Sequence, residues 1–189
     1  CDAIEGQKAT VAAALSASWR SQPTYLRFGR EKSPIITTPE TPFEIGKAII
    51  MREINGSPSS QGSSGRQLCT VVVCGILVYR ALVAAEVLAS EGIECEVINS
   101  HTIKPLDAET IITSAQKTGA MVSVEEHQIN GGLGSAVAEC LAKYHPVPQE
   151  FIGVQDRFGE SGNPDELIKH FGLDAPTIQA AVKKAITRK

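Results

Sequence analysis

The chain has 189 residues, of which 42% are hydrophobic and 21% charged, enough for one domain with its own core and a smaller attachment. The formal net charge of −3 argues against a nucleic-acid-binding protein. The longest apolar run, near 71–73, is too short to span a bilayer. The acidic, amphipathic start also lacks the basic-then-apolar pattern of a signal peptide.

Five cysteines, at positions 1, 69, 74, 95 and 140, form no Cys-x-x-Cys pair. Most lie in apolar patterns, which predicts free, buried thiols in a reducing cytoplasm. The chain opens with cysteine inside a helical pattern, and we expect it to be a fragment of a longer protein.

The first forty residues predict an attachment that cannot fold alone. Apolar residues at spacings of three and four predict a helix over 5–20, and alternation over 24–28 predicts a short strand that ends at Gly29. One helix and one strand cannot form a core, so this segment must dock on something else. Three prolines within 34–43 are typical of an extended linker.

The rest of the chain alternates between predicted strands and helices. We predict strands at 43–50 (an edge strand), 69–74, 94–98, 120–124 and 149–154, and helices at 79–90, 107–117, 135–144, 164–171 and 177–187. A Gly/Ser-rich stretch at 57–65 predicts a flexible loop. This order predicts an α/β fold: a mostly parallel, doubly wound sheet with helices on both faces.

The first of three loop motifs is Thr102-Ile103-Lys104-Pro105-Leu106-Asp107. It follows a predicted strand, where open α/β sheets place their sites. Taken by itself, its spacing describes an ordinary loop into a helix, in which proline keeps the preceding lysine extended and the aspartate caps the helix.

The second motif is Glu125-Glu126-His127, followed by Gly131-Gly132-Leu133-Gly134. Two carboxylates beside an imidazole could hold a metal or transfer a proton, but neighbours in an extended chain point to opposite sides. The glycines could cradle an anion at a helix N-terminus, although their spacing is neither GxGxxG nor a P-loop. We favour a structural interpretation, in which Glu125 and His127 hold the strand end and the glycine loop.

The third motif is Asp156-Arg157-Phe158-Gly159-Glu160-Ser161-Gly162. In this order, the three motifs resemble the C-terminal domain of transketolases, and the resemblance extends over essentially the whole chain. Similar loops occur in 1-deoxyxylulose-5-phosphate synthase and in the pyruvate dehydrogenase E1 beta subunit. The Glu-Ser-Gly sequence of the third motif is closer to transketolase than to the deoxyxylulose synthase, which usually has Glu-His-Gly there.

The resemblance implies a three-layer α/β/α domain with a mostly parallel five-stranded sheet at 43–189, a linker at 34–42 and the tail of a pyrimidine-binding domain at 1–33. The complete enzyme would transfer a two-carbon ketol unit between sugar phosphates, using thiamine diphosphate and Mg²⁺. This chain would serve homodimerisation and domain support, with the N-terminal part or subunit of the enzyme as its partner. By itself it would be inactive.

Two residues are candidates for substrate binding. The sequence 25–30 resembles the end of the family's pyrimidine-binding domain, where an arginine at the position of Arg30 binds the substrate's phosphate, a role that suits a guanidinium. The alternative is a solvated arginine at a strand end. His101 stands near the place of a phosphate-contacting arginine in the deoxyxylulose synthase.

We predict no catalytic, cofactor-binding or metal-binding residue in this chain. The family's Gly-Asp-Gly metal motif does not occur in it, and the glutamate that contacts the cofactor's pyrimidine ring lies upstream in the family. Other functions remain open: the C-terminal domain of the beta chain of a 2-oxo-acid dehydrogenase, or a structural or regulatory α/β module. The sequence also leaves open whether the chain is a fragment or one half of a naturally split enzyme.

Overall fold

A computed structural model describes residues 2–15, 23–29, 32–54 and 67–189. The strands are β1 (Ile49–Arg52), β2 (Gln67–Val73), β3 (Ile93–Asn99), β4 (Met121–Gln128) and β5 (Gln149–Val154). The helices are α1 (Ala3–Leu15), α2 (Val78–Ser90), α3 (Ala108–Thr118), α4 (Leu133–Tyr144), α5 (Pro164–His170) and α6 (Ala175–Ile186), with a short 3₁₀ helix (Gly75–Leu77) before α2. No helix in these ranges is long and apolar enough to cross a membrane.

The five strands form one sheet in the order β1-β3-β2-β4-β5. The pairs β3–β2, β2–β4 and β4–β5 are parallel, and only the edge strand β1 is antiparallel. Val71, in the central strand, pairs with Val97 on one side and Val122 on the other. The continuous apolar sequence of β2 reflects this position, because a central parallel strand is covered on both faces. The predicted mostly parallel sheet of five strands is confirmed.

Two hydrophobic cores lie on opposite faces of the sheet. On one face, α2 and α6 pack over a larger cluster that includes Leu88 and Val182. On the other face, α3 and α4 pack over a smaller cluster that includes Ile111 and Val137. The result is the predicted three-layer α/β/α arrangement.

The structure corrects the predicted strand at 24–28. Residues 23–29 have no regular secondary structure, and Tyr25 is 86% exposed. Alternation describes a side-chain pattern, but a strand also needs a neighbour for its backbone hydrogen bonds. Within the described residues, this segment pairs with no strand.

Other predicted boundaries shift by several residues. The edge strand begins only at Ile49, because a turn precedes it: Lys47 N donates to Glu44 O at 3.1 Å, and Gly46 has a φ of +87°. Strand β4 continues past its predicted end at 124 and includes Glu125. The described part of the first helix ends at Leu15. The last residues of that predicted helix (16–20) and the predicted loop at 57–65 lie outside the described ranges.

Candidate functional site

The candidate site lies at the edge of the sheet where the parallel strands end. Asn99 is the last residue of β3, and its Nδ2 donates to Glu5 Oε1 in α1 at 2.5 Å. Arg27 donates to the backbone oxygen of Glu126, near the end of β4, at 2.8 Å. The N-terminal segment therefore docks on the edge where α/β sheets commonly place their sites.

Asp2 fastens this segment to the chain that follows it. One carboxylate oxygen accepts from Glu5 N at 2.9 Å, and the other accepts from Ile36 N at 2.8 Å and Thr37 N at 2.7 Å. The Thr37 hydroxyl donates to the same carboxylate. Burial raises the pKa of Asp2, but these hydrogen bonds outweigh it and hold the pKa below its usual value. The side chain is thus a buried, charged link between residue 2 and residues 36–37.

His101, two residues beyond β3, is packed rather than open to solvent. Its ring stacks on Phe43, with 4.2 Å between ring centroids and 25° between the planes. Nδ1 lies 3.0 Å from Thr102 Oγ1, while Nε2 is buried with no hydrogen-bond partner among the described residues. Burial lowers the pKa of His101, although the Glu5 carboxylate partly offsets the effect. A ring in this position favours the neutral form.

The loop 102–107 is held by Asp107. This carboxylate caps α3 by accepting from Thr110 N at 3.2 Å and from the Thr110 hydroxyl at 2.8 Å. It also accepts from Ala48 N at 2.8 Å, which ties the loop to the start of β1. Burial raises the pKa of Asp107, but the hydrogen bonds from Ala48 and Thr110 bring it below its usual value. The predicted cap is confirmed.

Glu125 occupies the N-terminus of α4. The side chain is 2% exposed, and its two oxygens accept from Leu133 N at 2.7 Å and Gly134 N at 2.8 Å. A helix N-terminus favours a negative group, because its first N–H groups lack partners within the helix. The predicted role of Glu125 in holding the glycine loop is confirmed, and the anion at this helix end is the protein's own carboxylate.

The glycines of this loop leave room for the side chains of β4. A Cβ atom on Gly132 would lie 2.0 Å from Glu125 Oε2, and one on Gly134 would lie 2.7 Å from Ser123 Oγ. His127 has a smaller part than predicted. Its Nδ1 lies 2.7 Å from the backbone oxygen of Gln128 and 3.9 Å from Glu125 Oε2, so it supports the loop only through Glu125.

The third motif forms an exposed loop between β5 and α5, and every residue from 155 to 166 is exposed. Its first part is fastened at two points. Asp156, with a φ of +39°, exchanges two hydrogen bonds with the Gln128 side chain, at 2.9 and 3.1 Å. Arg157 lies over the Phe171 ring at 4.4 Å. Phe158, which lies between Arg157 and Gly159 in the chain, is 95% exposed.

The structure describes one of the two predicted substrate-binding residues. Arg30 lies outside the described residues, so its assignment stays a prediction. His101 lies at the carboxyl edge, as expected from its place after a strand. The contacts of Glu5 and Asp2 were missed, although Asp2-Ala3-Ile4-Glu5 has the spacing of a capping box and could have indicated the helix start.

No group of three or more His, Cys, Asp or Glu side chains among the described residues is arranged to hold a metal ion. At α4, the helix N-terminus that could have received a phosphate is filled by Glu125. Asp107 and Asp2 are likewise engaged in internal hydrogen bonds.

Comparison with known proteins agrees with this fold. Residues 63–178 match the family model for the transketolase C-terminal domain. This chain belongs to the transketolase C-terminal domain family. Enzymes of the transketolase family depend on thiamine diphosphate.

Three similar proteins illustrate the relationship. The 6-deoxy-6-sulfo-D-fructose transketolase subunit SqwH of Clostridium sp. (strain MSTE9) is 43% identical, over 88% of this chain and 48% of its own. An apulose-4-phosphate transketolase subunit from Phocaeicola vulgatus is 36% identical, over 83% and 46%. A solved structure described as a split gene transketolase, inactive beta4 tetramer, has a TM-score of 0.76 at 40% identity, over 85% and 49%. The chain thus spans about half the length of these relatives.

Proposed function

We propose that this chain is the C-terminal part of a transketolase-type transferase, which moves a two-carbon ketol unit between sugar phosphates. The observation that carries the proposal is the match of residues 63–178 to the transketolase C-terminal domain family. At the carboxyl edge, Glu125, Asp107 and Asn99 form hydrogen bonds within the protein. We therefore place the ligands of the cofactor outside this domain. Thiamine diphosphate and Mg²⁺ would be held by the N-terminal part of the enzyme.

The N-terminal segment supports a partner of this kind. Within the described part of residues 2–42, several large apolar side chains on a helix and an extended stretch are exposed: Val11, Leu15, Tyr25, Leu26, Phe28 and Ile35. Exposed apolar side chains that together form a large patch are typical of a binding surface. We assign residues 1–33 to the end of a pyrimidine-binding domain, 34–42 to a linker and 43–189 to the C-terminal domain.

The relatives' names suggest two kinds of partner. Two relatives are called transketolase subunits, and a third is described as a tetramer of one type of chain. We therefore propose that the chain associates with a separate or covalently joined N-terminal part and also forms homodimers. The free thiols at 69, 74, 95 and 140 fit a reducing cytoplasm.

Within this assembly, Arg30 would bind the phosphate of the sugar. His101 would lie at the rim of the same site, because it follows β3 at the carboxyl edge. Its partly buried ring, stacked on Phe43 and close to Thr102, suits positioning better than direct binding of a phosphate. Arg30 is the stronger candidate, since a guanidinium forms two parallel hydrogen bonds to a phosphate.

Complementation of activity tests the proposal. The chain is mixed with the N-terminal part, thiamine diphosphate and Mg²⁺, and ketol transfer is followed from xylulose 5-phosphate and from an unphosphorylated donor. We expect activity only in the mixture. Arg30→Ala should lower kcat/KM for the phosphorylated donor by about 10-fold to 100-fold, the value of one or two charge-assisted hydrogen bonds, with a smaller effect on the unphosphorylated donor.

Arg27→Ala is the matched control, because Arg27 is in the same segment and binds the backbone oxygen of Glu126. It should change the amount of assembled enzyme more than the KM for the phosphorylated donor. Equal losses for both donors in Arg30→Ala would argue against phosphate binding by this residue. A folded, bound N-terminal part without ketol transfer would instead favour a structural module or a dehydrogenase component.

A further inference from the structure

The loop 155–163 combines exposure to solvent with specific contacts. All its side chains are exposed, yet several of them are fixed by specific contacts. Exposed loops held in one conformation by their surroundings are common at binding sites, because ordering the loop in advance reduces the entropy lost on binding.

The contacts that fix the loop come from both of its flanks. Gln128, at the end of β4, pairs with Asp156 through two hydrogen bonds. From the other flank, the His170 backbone oxygen accepts from Arg157 at 2.8 Å, and His170 Nε2 lies 2.9 Å from Glu160 Oε1. Asp156 adopts a positive φ of +39°, which is uncommon for a non-glycine residue although aspartate adopts it more readily than most.

These contacts use the loop's charged groups and leave one large side chain unused. Asp156, Arg157 and Glu160 are each engaged within the chain. Phe158 is 95% exposed, and large aromatic side chains dominate the energetics of interfaces when they become buried. Single aromatic anchors of this type often carry a large share of an interface's affinity.

The position of the loop indicates its partner. Gln128, which holds Asp156, lies two residues beyond Glu126, whose backbone oxygen binds Arg27 of the N-terminal segment. Close to Arg27 in the chain, Tyr25 and Phe28 are 86% and 53% exposed. The end of β4 thus contacts both the Phe158 loop and the N-terminal segment that carries Tyr25 and Phe28.

We propose that the loop 155–163 is a preformed docking element for the N-terminal part of the transketolase, with Phe158 inserted into an apolar pocket of that partner. This inference rests on the proposed function and extends it to a particular surface. The pocket would be continuous with the surface that covers Tyr25 and Phe28. A second copy of this chain is the competing occupant, and the experiment below distinguishes the two.

The test measures the dissociation constant between the full chain and the N-terminal part by surface plasmon resonance. Phe158→Ala should weaken binding by at least about 30-fold, as for an interface hot spot. Tyr144→Ala is the matched control, because Tyr144 is also an exposed aromatic residue (57%) but lies at the end of α4. It should change the dissociation constant less than about 2-fold, roughly the effect of a neutral surface substitution.

Gln128→Ala provides a second variant that leaves Phe158 in place. It removes the hydrogen bonds to Asp156, so we expect an intermediate loss of affinity from a less ordered loop. The thermal unfolding midpoint of each variant, followed by circular dichroism, checks that the fold is unchanged. Sedimentation of the chain alone, with and without Phe158→Ala, measures self-association.

The outcomes distinguish failure of the docking element from failure of the proposed function. Wild-type binding that is insensitive to Phe158→Ala would overturn the docking element and leave the proposed function intact. A change in self-association without a change in partner affinity would make the second copy the occupant and also overturn the inference. Wild-type chain that does not bind the N-terminal part at all would overturn the proposed function as well.

Discussion

At the scale of single residues, a few buried carboxylates hold the carboxyl edge together. Asp107 accepts hydrogen bonds from three donors: the backbone N–H of Ala48, and the backbone N–H and the hydroxyl of Thr110. Glu125 accepts from two backbone N–H groups at the start of α4, and Asp2 accepts from one at the start of α1. Each carboxylate accepts from N–H groups that are buried or partly buried, and a buried donor left unsatisfied would cost about 1–3 kcal/mol.

Asp107→Ala tests this role. The substitution removes the α3 cap and leaves Ala48 N without its acceptor, so we expect the free energy of unfolding to fall by about 2–4 kcal/mol. Asp107→Asn keeps a side-chain oxygen that can cap the helix and should cost about 1 kcal/mol. Urea denaturation followed by circular dichroism measures both. Equal stability of the alanine variant and the wild type would contradict the role.

The same residue predicts a dependence on pH. The folded-state pKa of Asp107 lies below its unfolded value, so its contribution is complete above about pH 4 and is lost as the pH falls through the folded pKa. The asparagine variant lacks this contribution. Its free energy of unfolding should therefore decrease less steeply with acidification than that of the wild type. If the free energy of unfolding falls equally steeply with acidification in both proteins, other carboxylates, such as Asp2, dominate the pH dependence of stability.

At the scale of elements, two glycines in the turn between β4 and α4 are needed for different reasons. Gly131 has a φ of +81°, but a Cβ atom there would meet nothing within 4 Å. Gly132 has an ordinary negative φ of −93°, but its Cβ atom would lie 2.0 Å from the buried Glu125 carboxylate. Gly131 is therefore needed for its positive φ, and Gly132 is needed because a side chain there would overlap Glu125.

Gly131→Ala and Gly132→Ala form a matched pair on this basis. Gly131→Ala should cost about 1–2 kcal/mol, the penalty of a left-handed residue with a Cβ atom. Gly132→Ala should cost more, because Glu125 must leave two N–H groups at the start of α4. Thermal unfolding of the two variants ranks them. A more stable Gly132→Ala protein would mean that Glu125 can move without loss.

At the scale of the whole molecule, the two-sided core protects the cysteines. Cys69 and Cys95 are fully buried in neighbouring strands, and burial raises the pKa of Cys95 to about 12. Cys140, on α4, is only partly buried. Because the thiolate is the reactive form, a buried thiol reacts mainly after unfolding.

Thiol labelling at neutral pH should therefore resolve two classes, measured in a Cys1→Ser background by mass spectrometry. Cys140 should react first. Cys69, Cys95 and Cys74, the last with its pKa raised by burial to about 12, should react at a rate set by unfolding. Cys140→Ser removes the fast class and serves as the control. Labelling of Cys69 at the rate of Cys140 would show that the sheet opens locally.

Much of the fold could be predicted because its signals are local. The continuous β-branched run of β2 indicated a strand covered on both faces, and the Asp107 cap and Gly119 marked the limits of α3. The same local reasoning was wrong at 24–28, where alternation was present but no neighbouring strand was found among the described residues. It also ended β4 before Glu125, because a glutamate at a strand end does not show by its sequence whether it is buried.

The sequence alone determined the α/β class, the parallel sheet and the family resemblance, since these follow from periodicity, turn residues and short motifs. The tertiary structure decided how the motifs are used. Asn99 and Glu5 are separated by 94 positions yet share a hydrogen bond, and Glu125 caps a helix that begins eight residues later. The exposure of Phe158 was likewise not visible in its motif. Such features depend on which elements pack together, and local sequence patterns do not contain that information.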